Sequence, residues 1–437
     1  MKKNPTEYNG LDNGTEFRPA IASSNPLKRL ANFRTFTSLK TPAYRLYWAA
    51  ALCQMAAMNM QMLTRSLLVY QLTDSPTILG LMGVFHALPM LFLSLFGGII
   101  ADRVQKKYVM LAGQAGSAVV SFGVALSLMV RYLSAENAGS WWVLAVTSVF
   151  QGMIMGLMMP SRQAYLPEIV GQEQLLNAIS LNNVGMSAMR LLAPAAAGFL
   201  IGDKYNYELV YLTMTGLYVL AVVFVIFLPR GGMMAIRGSG ALDDIKEGFR
   251  YLRGETTLFL IMMITLVTVV LSMPYGMLMP IFTESILDVG ATGLGVLMSV
   301  SGIGAIVGSL TFASLPNKKR GLLFLISCFI TGLTLAAFAA STIWGLSLGI
   351  IIFVGLGQTG FMTLSNTLIQ YYVDDQYRGR VMSILMMQFG LTSFGTFLAG
   401  LLSESLGVQW VIGGFAGSLA ILSLFALIFV PRVRRLD

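Results

Sequence analysis

Residues 76–107, PTILGLMGVFHALPMLFLSLFGGIIADRVQKK, contain the pattern that decides the fold: a long apolar run and then a short charged stretch. The run 76–101 has no Asp, Glu, Lys or Arg. A helix of about 20 such residues spans the hydrocarbon core of a bilayer. Four charged residues at 102–107 end the run. This stretch therefore predicts a transmembrane helix followed by a polar loop.

The same alternation recurs along the chain of 437 residues. Internal Gly and Pro exclude a soluble coiled coil, and the apolar runs are too long for the strands of about 10 residues in a membrane β-barrel. We therefore expect an all-α membrane protein with twelve transmembrane helices. Their estimated bounds are 44–71, 76–101, 108–131, 140–162, 174–201, 207–229, 257–283, 292–315, 321–341, 343–372, 379–404 and 408–430.

Composition excludes the soluble classes of protein, because 56% of the residues are hydrophobic and only 11% are charged. Soluble proteins carry about 25% charged residues. Cys53 and Cys328 lie inside apolar runs and His86 is the single histidine, so neither a disulfide framework nor a metal site is expected. No Gly-Lys pair occurs, which excludes a P-loop. We expect no catalytic residues, no enzyme activity and no cofactor.

Positive charge concentrates on one side of the predicted membrane. With the N-terminus inside, the inner segments hold 25 of the 29 Lys and Arg residues, whereas the outer loops hold only Arg131 and Lys204. The positive-inside rule therefore predicts that both termini face the cytoplasm. This distribution explains the net charge of +9 without a nucleic-acid partner. The polar residues before the first span contain no apolar h-region, so we expect no cleavable signal peptide.

The longest internal polar stretch divides the spans six and six. We predict a polar cytoplasmic tail at 1–43, six-helix bundles at 44–229 and 257–430, a linker at 230–256 and a basic tail at 431–437. The linker has an amphipathic pattern that is typical of a helix lying on the cytoplasmic surface. A solvated linker accounts for the same pattern equally well.

The two halves also resemble each other. Residues 77–80 (TILG) open the second span and residues 292–295 (TGLG) open the eighth, at an offset of 215. Farther along, Gly152 pairs with Gly355 at an offset of 203. Repeats of this kind predict a transporter whose site lies between the halves near the middle of the membrane.

Several motifs make the chain similar to the major facilitator superfamily. Residues 98–107 (GIIADRVQKK) resemble the signature loop of that superfamily, except at Gln105, where the family usually has glycine. Residues 67–75 (LLVYQLTDS), 243–253 (DDIKEGFRYLR) and 378–383 (RGRVMS) look like the subgroup that contains the bacterial enterobactin exporter. The resemblance implies the major facilitator fold and transport by alternating access.

Two further motifs depart from the family pattern. Residues 193–198 (APAAAG) are similar to the antiporter motif of the fifth span, but two of its glycines are alanine. In the fourth span the family usually has an arginine three residues before Gln-Gly, and this chain has Ser148 there. The first motif favours export. The second departure weakens the case for proton coupling of the usual drug-antiporter kind.

In the superfamily the signature loop latches against the eleventh helix when the cytoplasmic side is closed. The resemblance implies that Asp102 caps that helix while Arg103 meets Asp374 or Asp375. The alternative is a basic loop that only determines topology. The predicted latch consists of Gly98, Asp102, Arg103, Lys106, Lys107, Asp374, Asp375 and Arg378.

Polar residues at helical spacing predict a central cavity, which the resemblance places along the first, fourth, seventh and tenth helices. Two arginines without a central carboxylate favour an anionic or zwitterionic amphiphile. Alternatively, Arg65 could snorkel to the outer surface and Arg190 could pair structurally with carbonyls or amides. The predicted substrate-binding residues are Gln54, Met58, Gln61, Arg65, Gln151, Met155, Asn183, Met186, Arg190, Gln358, Met362 and Asn366.

The sequence thus predicts a secondary active transporter that exports an amphipathic, anionic small molecule such as a siderophore across the bacterial inner membrane. Its expected partners are this substrate and the lipid bilayer, and the chain is expected to be a monomer. If protons couple, the candidate residues are His86, Asp102, Glu284 and Glu404, although His86 could equally be a neutral interior histidine. A broad-specificity drug or lipid exporter and a transport-inactive sensor or partner with the same fold stay open.

Overall fold

A computed structural model describes the chain at residues 38–134, 136–137, 139–202, 204–229, 241–314, 318–374 and 376–436. Only the backbone is described at 95–103, 172–173, 176, 241–245, 313–314, 386 and 389. These described ranges are helical nearly throughout and contain no strand. Most of the predicted N-terminal tail lies outside them.

Six long helices form the first bundle. Gly171 breaks a continuous helical stretch, Trp142–Ile201, into two spans, because its φ of 70° lies in the left-handed region that glycine adopts without steric cost. The helices are α1 (Pro42–Thr73), α2 (Pro76–Arg103), α3 (Lys106–Met129), α4 (Trp142–Gly171), α5 (Asn177–Ile201) and α6 (Tyr207–Ile226).

The second half repeats this order after a linker helix. Its first span is interrupted at Met273, where Pro274 begins a new helix because proline cannot donate the backbone hydrogen bond that would continue the old one. The helices are α7 (Ala241–Gly254) in the linker, then α8 (Thr256–Ser272), α9 (Pro274–Ser285), α10 (Gly290–Ser314), α11 (Arg320–Ala340), α12 (Trp344–Tyr372), α13 (Arg378–Leu406), α14 (Val408–Phe429) and α15 (Pro431–Arg434).

Eleven membrane spans, one of them formed by α8 and α9 together, are long and apolar enough to cross a bilayer within the described residues. Helix α1 is also long, but its Gln54, Gln61 and Arg65 lower its hydropathy; it packs against α5 and α6 and completes the set of twelve. The bounds follow the predicted spans closely. The main correction is α4, which continues to Gly171 past its predicted end at residue 162.

The linker contains the helix that its amphipathic pattern predicts. Leu252 on α7 is buried in the core of the second bundle. Arg380 Nη1 on α13 donates to Glu247 Oε1 at 3.0 Å, and the rings of Tyr251 and Tyr377 stack with centroids 4.2 Å apart. Helix α7 is therefore docked on the second bundle through α13.

The same glycine contact occurs in both halves. Gly152 of α4 lies so close to α2 that a Cβ atom there would overlap with the His86 carbonyl oxygen. Gly355 of α12 makes the equivalent approach to the Ser301 carbonyl oxygen of α10. The two pairs are related by the offsets of 203 and 215 that the sequence predicts. The structure therefore supports the internal repeat.

Glycines also bring the two bundles together along α2–α13 and α5–α10. A Cβ atom at Gly80 would lie 2.8 Å from the Thr396 carbonyl oxygen, and one at Gly198 would lie 2.7 Å from the Ala291 carbonyl oxygen. Gly198 ends the antiporter-like motif. Small residues at these crossings let the helix backbones touch, as is usual where lipid removes the hydrophobic drive for association.

We expect the Gly355→Ala variant to be destabilised by about 1–3 kcal/mol, because the added methyl group overpacks the α10–α12 contact. Gly349→Ala on the same helix is the matched control, since a Cβ atom at Gly349 meets nothing within 4 Å. The thermal unfolding midpoint of each purified variant measures the difference. Equal midpoints for the two variants would contradict the close contact.

Candidate functional site

One end of the molecule is sealed by apolar packing between the bundles. A single cluster of buried residues joins Leu67 and Leu79 of the first bundle to Leu278 and Leu294 of the second. Toward the opposite end each bundle has its own separate cluster. We refer to the end carrying the α1–α2 turn at Asp74 as the closed end. The opposite end, where the described buried residues of the two bundles form separate clusters, we refer to as the open end.

Hydrogen bonds between the bundles reinforce the closed end around Glu284. Its Oε1 accepts from Gln71 Nε2 at 3.3 Å and from the Tyr205 hydroxyl at 3.2 Å. The Tyr207 hydroxyl in turn donates to Gln71 Oε1 at 2.6 Å. The Tyr70 and Ser285 hydroxyls are 3.0 Å apart. Glu284 therefore acts as an acceptor that links α9 to α1 and to the loop between α5 and α6.

A second carboxylate lies at the same end. Glu404 near the end of α13 accepts from the Ser75 hydroxyl at 2.5 Å, which ties the α1–α2 turn to the second bundle. Within the described residues neither Glu284 nor Glu404 forms a salt bridge with a cation. Glu284 and Glu404, two of the three carboxylates predicted for proton coupling, thus contact the other bundle.

Away from the closed end, α5 presents a polar face between the bundles. Asn183, Met186 and Arg190 follow at intervals of three and four residues and are exposed. The Arg190 guanidinium lies within electrostatic range of the Tyr275 hydroxyl on α9, in the other bundle. No described carboxylate pairs with Arg190. This face is therefore directed at the second bundle with an uncompensated positive charge.

On the second bundle, α12 lines a pocket of about 670 Å³. Met362 and Asn366, both predicted as cavity residues, lie in its wall. Arg320 and Arg378 also line it, so its rim is positively charged.

Several predicted cavity residues pack inside the bundles instead, which corrects the expectation that they line the central cavity. Gln151 Nε2 donates to the Ser117 and Tyr218 hydroxyls at 3.3 Å each. Such amides find partners within their own bundle because lipid offers none. Helical spacing identifies a shared face but not the neighbour that covers it. The residues corrected in this way are Gln54, Gln61, Gln151, Met155 and Gln358, whereas Met58 is 37% exposed.

Gln54 belongs to a buried network that the sequence did not reveal. Its Oε1 accepts from Gln114 Nε2 at 2.8 Å and from Arg162 Nη1 at 3.3 Å. Arg162 is only 5% exposed, although the sequence places it in an inner loop. The reason is that α4 continues past residue 162, so that this arginine lies on a helix facing α1.

Arg65 is held by a contact inside the first bundle. Its side chain is half-buried and Nη1 donates to the Ser148 hydroxyl on α4 at 3.1 Å. Its ionisable neighbours are His86 on α2 and Tyr211 and Tyr218 on α6. Arg65 therefore points into the interior of the first bundle.

The basic signature loop is held by its own bundle. Lys106 is buried and forms a salt bridge with Glu168 of α4. Lys107 Nζ donates to the carbonyl oxygens of Ile226 and Leu228 at 2.7 and 2.6 Å. Both lysines thus bond within the first bundle, and their part in the latch against α13 stays a prediction.

The structure describes the remaining latch residues only in part. The backbone N–H of Asp374 donates to the Tyr251 hydroxyl at 3.2 Å, which ties it to α7. Asp375 and the side chains of Gly98, Asp102 and Arg103 lie outside the described residues. The latch through Asp102 therefore stays a prediction.

The arrangement of two helical halves around a central contact matches a known family. The family model described as Major Facilitator Superfamily matches residues 47–391 and 265–437. The chain belongs to this superfamily. It is accordingly a multi-pass membrane protein and a secondary transporter rather than an enzyme.

Relatives with known activities are similar over most of their length. The Staphyloferrin A transporter of Staphylococcus aureus is 23% identical and covers 76% of this chain and 82% of its own. Enterobactin exporter EntS of Escherichia coli is 25% identical, with 76% and 77% covered. Macrolide efflux protein A of Streptococcus pyogenes is 23% identical, with 84% and 90% covered.

A solved structure confirms the fold. The crystal structure of a D-xylose-proton symporter superposes with a TM-score of 0.69 at 12% identity, and covers 90% of this chain and 99% of its own.

We expect Glu284→Ala to loosen the closed end, because Gln71 and Tyr205 lose their shared acceptor. A loss of ~1 kcal/mol changes the open fraction about fivefold. A Met62→Cys reporter on a Cys53→Ser, Cys328→Ser background measures it through labelling by an impermeant thiol reagent added at the closed end. Glu208→Ala is the control at the same end, and equal labelling of both variants would show that Glu284 does not hold the closure.

Proposed function

We propose that the chain exports an amphipathic, anionic small molecule of the siderophore type by alternating access. Arg190 carries this proposal. It is exposed on the face of α5 that is directed at the second bundle, and no described carboxylate neutralises it. A guanidinium at membrane depth is costly unless an anion or polar cavity compensates it. A substrate carboxylate or catecholate supplies that compensation through bidentate hydrogen bonds.

The pocket along α12 supports the same substrate class. Arg320 and Arg378 at its rim attract an anion, while Met362 in its wall adapts to apolar groups of varied shape. We propose that this pocket and the α5 face at Asn183, Met186 and Arg190 form the two walls of one substrate cleft. A charged group would contact the arginines and an apolar body would contact the methionines.

The relatives favour export of a siderophore over other cargo. Two of the three reported above are named for staphyloferrin A and enterobactin, and this chain carries motifs of the enterobactin-exporter subgroup. The macrolide efflux relative supports drug export as the second candidate. Exposed methionines such as Met58 and Met186 suit a range of apolar cargo, whereas the unpaired Arg190 favours an anion.

The direction and energy source form part of the proposal. With the termini in the cytoplasm of a bacterial cell, the open end faces the cytoplasm, which is the side from which an exporter loads. Glu284 and Glu404 would then lie at the outer face, where protonation would weaken their acceptor bonds between the bundles and favour opening. Asp102 would act on the cytoplasmic side by stabilising the opposite closure.

Arg190→Gln should weaken exchange of an anionic siderophore at least tenfold more than exchange of its neutral methyl ester, because only the anion loses a charge-assisted contact of about 1.5–3 kcal/mol. Counterflow in proteoliposomes made from purified protein measures both.

Arg432→Gln is the control, since it removes an exposed arginine outside the cleft. Equal losses for the anion and the ester would make Arg190 structural. A wild-type protein that exchanges neither would favour the transport-inactive sensor, and a preference for cationic dyes would favour the drug exporter.

A further inference from the structure

A second cationic centre lies inside the first bundle, apart from the proposed cleft. Arg65 donates one hydrogen bond, to the Ser148 hydroxyl, and its Nε is buried without a partner. The Ser148 hydroxyl donates its own hydrogen bond to the Leu144 carbonyl oxygen at 2.6 Å, so it has no donor left for another group. The guanidinium is thus compensated by one neutral hydroxyl.

His86 adds a second unpaired nitrogen at the same place. Its ring is hydrogen bonded to the backbone of Ser148, and its Nδ1 is buried with no partner. Ser148 therefore contacts Arg65 through its side chain and His86 through its backbone. The Tyr218 hydroxyl accepts from Gln151 at 3.3 Å and keeps its own proton to donate.

The surroundings supply no negative charge. The ionisable groups that act on this centre are Tyr211 and Tyr218 from α6, and no described carboxylate is among them. On α13, which packs against the far side of α2, residues 386–393 (MMQFGLTS) lie opposite and carry no charge. The Arg65 side chain is half-buried, but its Nε is buried, and a buried charged group without a counter-charge is destabilising. An anion from solution is the group that would satisfy it.

We infer that Arg65 and His86 form a binding site for a small monovalent anion of chloride size inside the first bundle. Arg65 supplies the permanent charge and the free Nε donor. Because the bonded ring nitrogen of His86 already serves the Ser148 carbonyl, its Nδ1 carries a proton only when the ring is cationic. Anion binding is therefore linked to proton uptake by His86: the anion and the proton bind together.

The test uses purified full-length protein without organic substrate, at constant ionic strength, with chloride replacing gluconate. We expect chloride to raise the thermal unfolding midpoint of the wild type and of Arg432→Gln by a few degrees, and Arg65→Gln to lose this shift. The wild-type shift should grow as the pH falls, because His86 takes up a proton together with the anion. His86→Gln should keep a shift but lose its pH dependence.

The inference fails if chloride does not stabilise the wild type more than gluconate does, or if Arg65→Gln keeps the full shift. Acetate is a separate arm: stabilisation by acetate but not by chloride would show that the site takes a carboxylate, such as a substrate's acid group. If Arg65→Gln does not fold, chlorine-35 NMR line broadening of the wild type, and its reversal by bromide, decides the question. All readouts omit the transported molecule, so they are independent of the Arg190 test.

Discussion

In the hydrocarbon core of a membrane, a hydrogen-bonding group that is not satisfied by the protein is not satisfied at all. This constraint explains the interior of the first bundle better than hydrophobic packing does. Gln54 is bonded to Gln114 and Arg162, and Gln151 is bonded to Ser117 and Tyr218. Each of these four hydrogen bonds joins two different helices. The polar residues of α1 and α4 therefore fix the arrangement of their own bundle.

The same constraint determines what could be predicted from the sequence. Span number, span bounds and the repeat depend on local composition, which the sequence states directly. Gln54 and Gln61 were expected in the cavity because their spacing puts them on one face of α1. Spacing does not reveal which helix covers that face. Lys106 is similar, because its partner Glu168 follows 62 residues later, on the part of α4 that lies past its predicted end.

The two halves share the close glycine contacts between their helices, but they differ in the polar residues next to those contacts. Gly152 and Gly355 make the same close approach in the two halves. At the offset of 203, however, Ser148 corresponds to Ile351 and Gln151 to Val354, both of them apolar and fully buried. Close helix crossings are needed by both bundles, because both must pack in lipid. At these two positions the polar side chains belong to the first bundle, so the close helix crossings that both bundles share do not require them.

Ser148 connects this asymmetry to the family pattern. The superfamily motif usually has an arginine at this position of the fourth span, and its absence weakened the case for proton coupling of the usual drug-antiporter kind. The structure brings Arg65 of α1 to within 3.1 Å of the Ser148 hydroxyl, so the charge that α4 lacks is supplied by its neighbour. Helices α1 and α4 belong to one bundle, so an arginine on α1 brings a positive charge close to this position of α4. The first bundle therefore has an arginine beside Ser148 although α4 itself has none. The motif of the fourth span alone does not reveal whether the arginine is lost or is supplied by another helix.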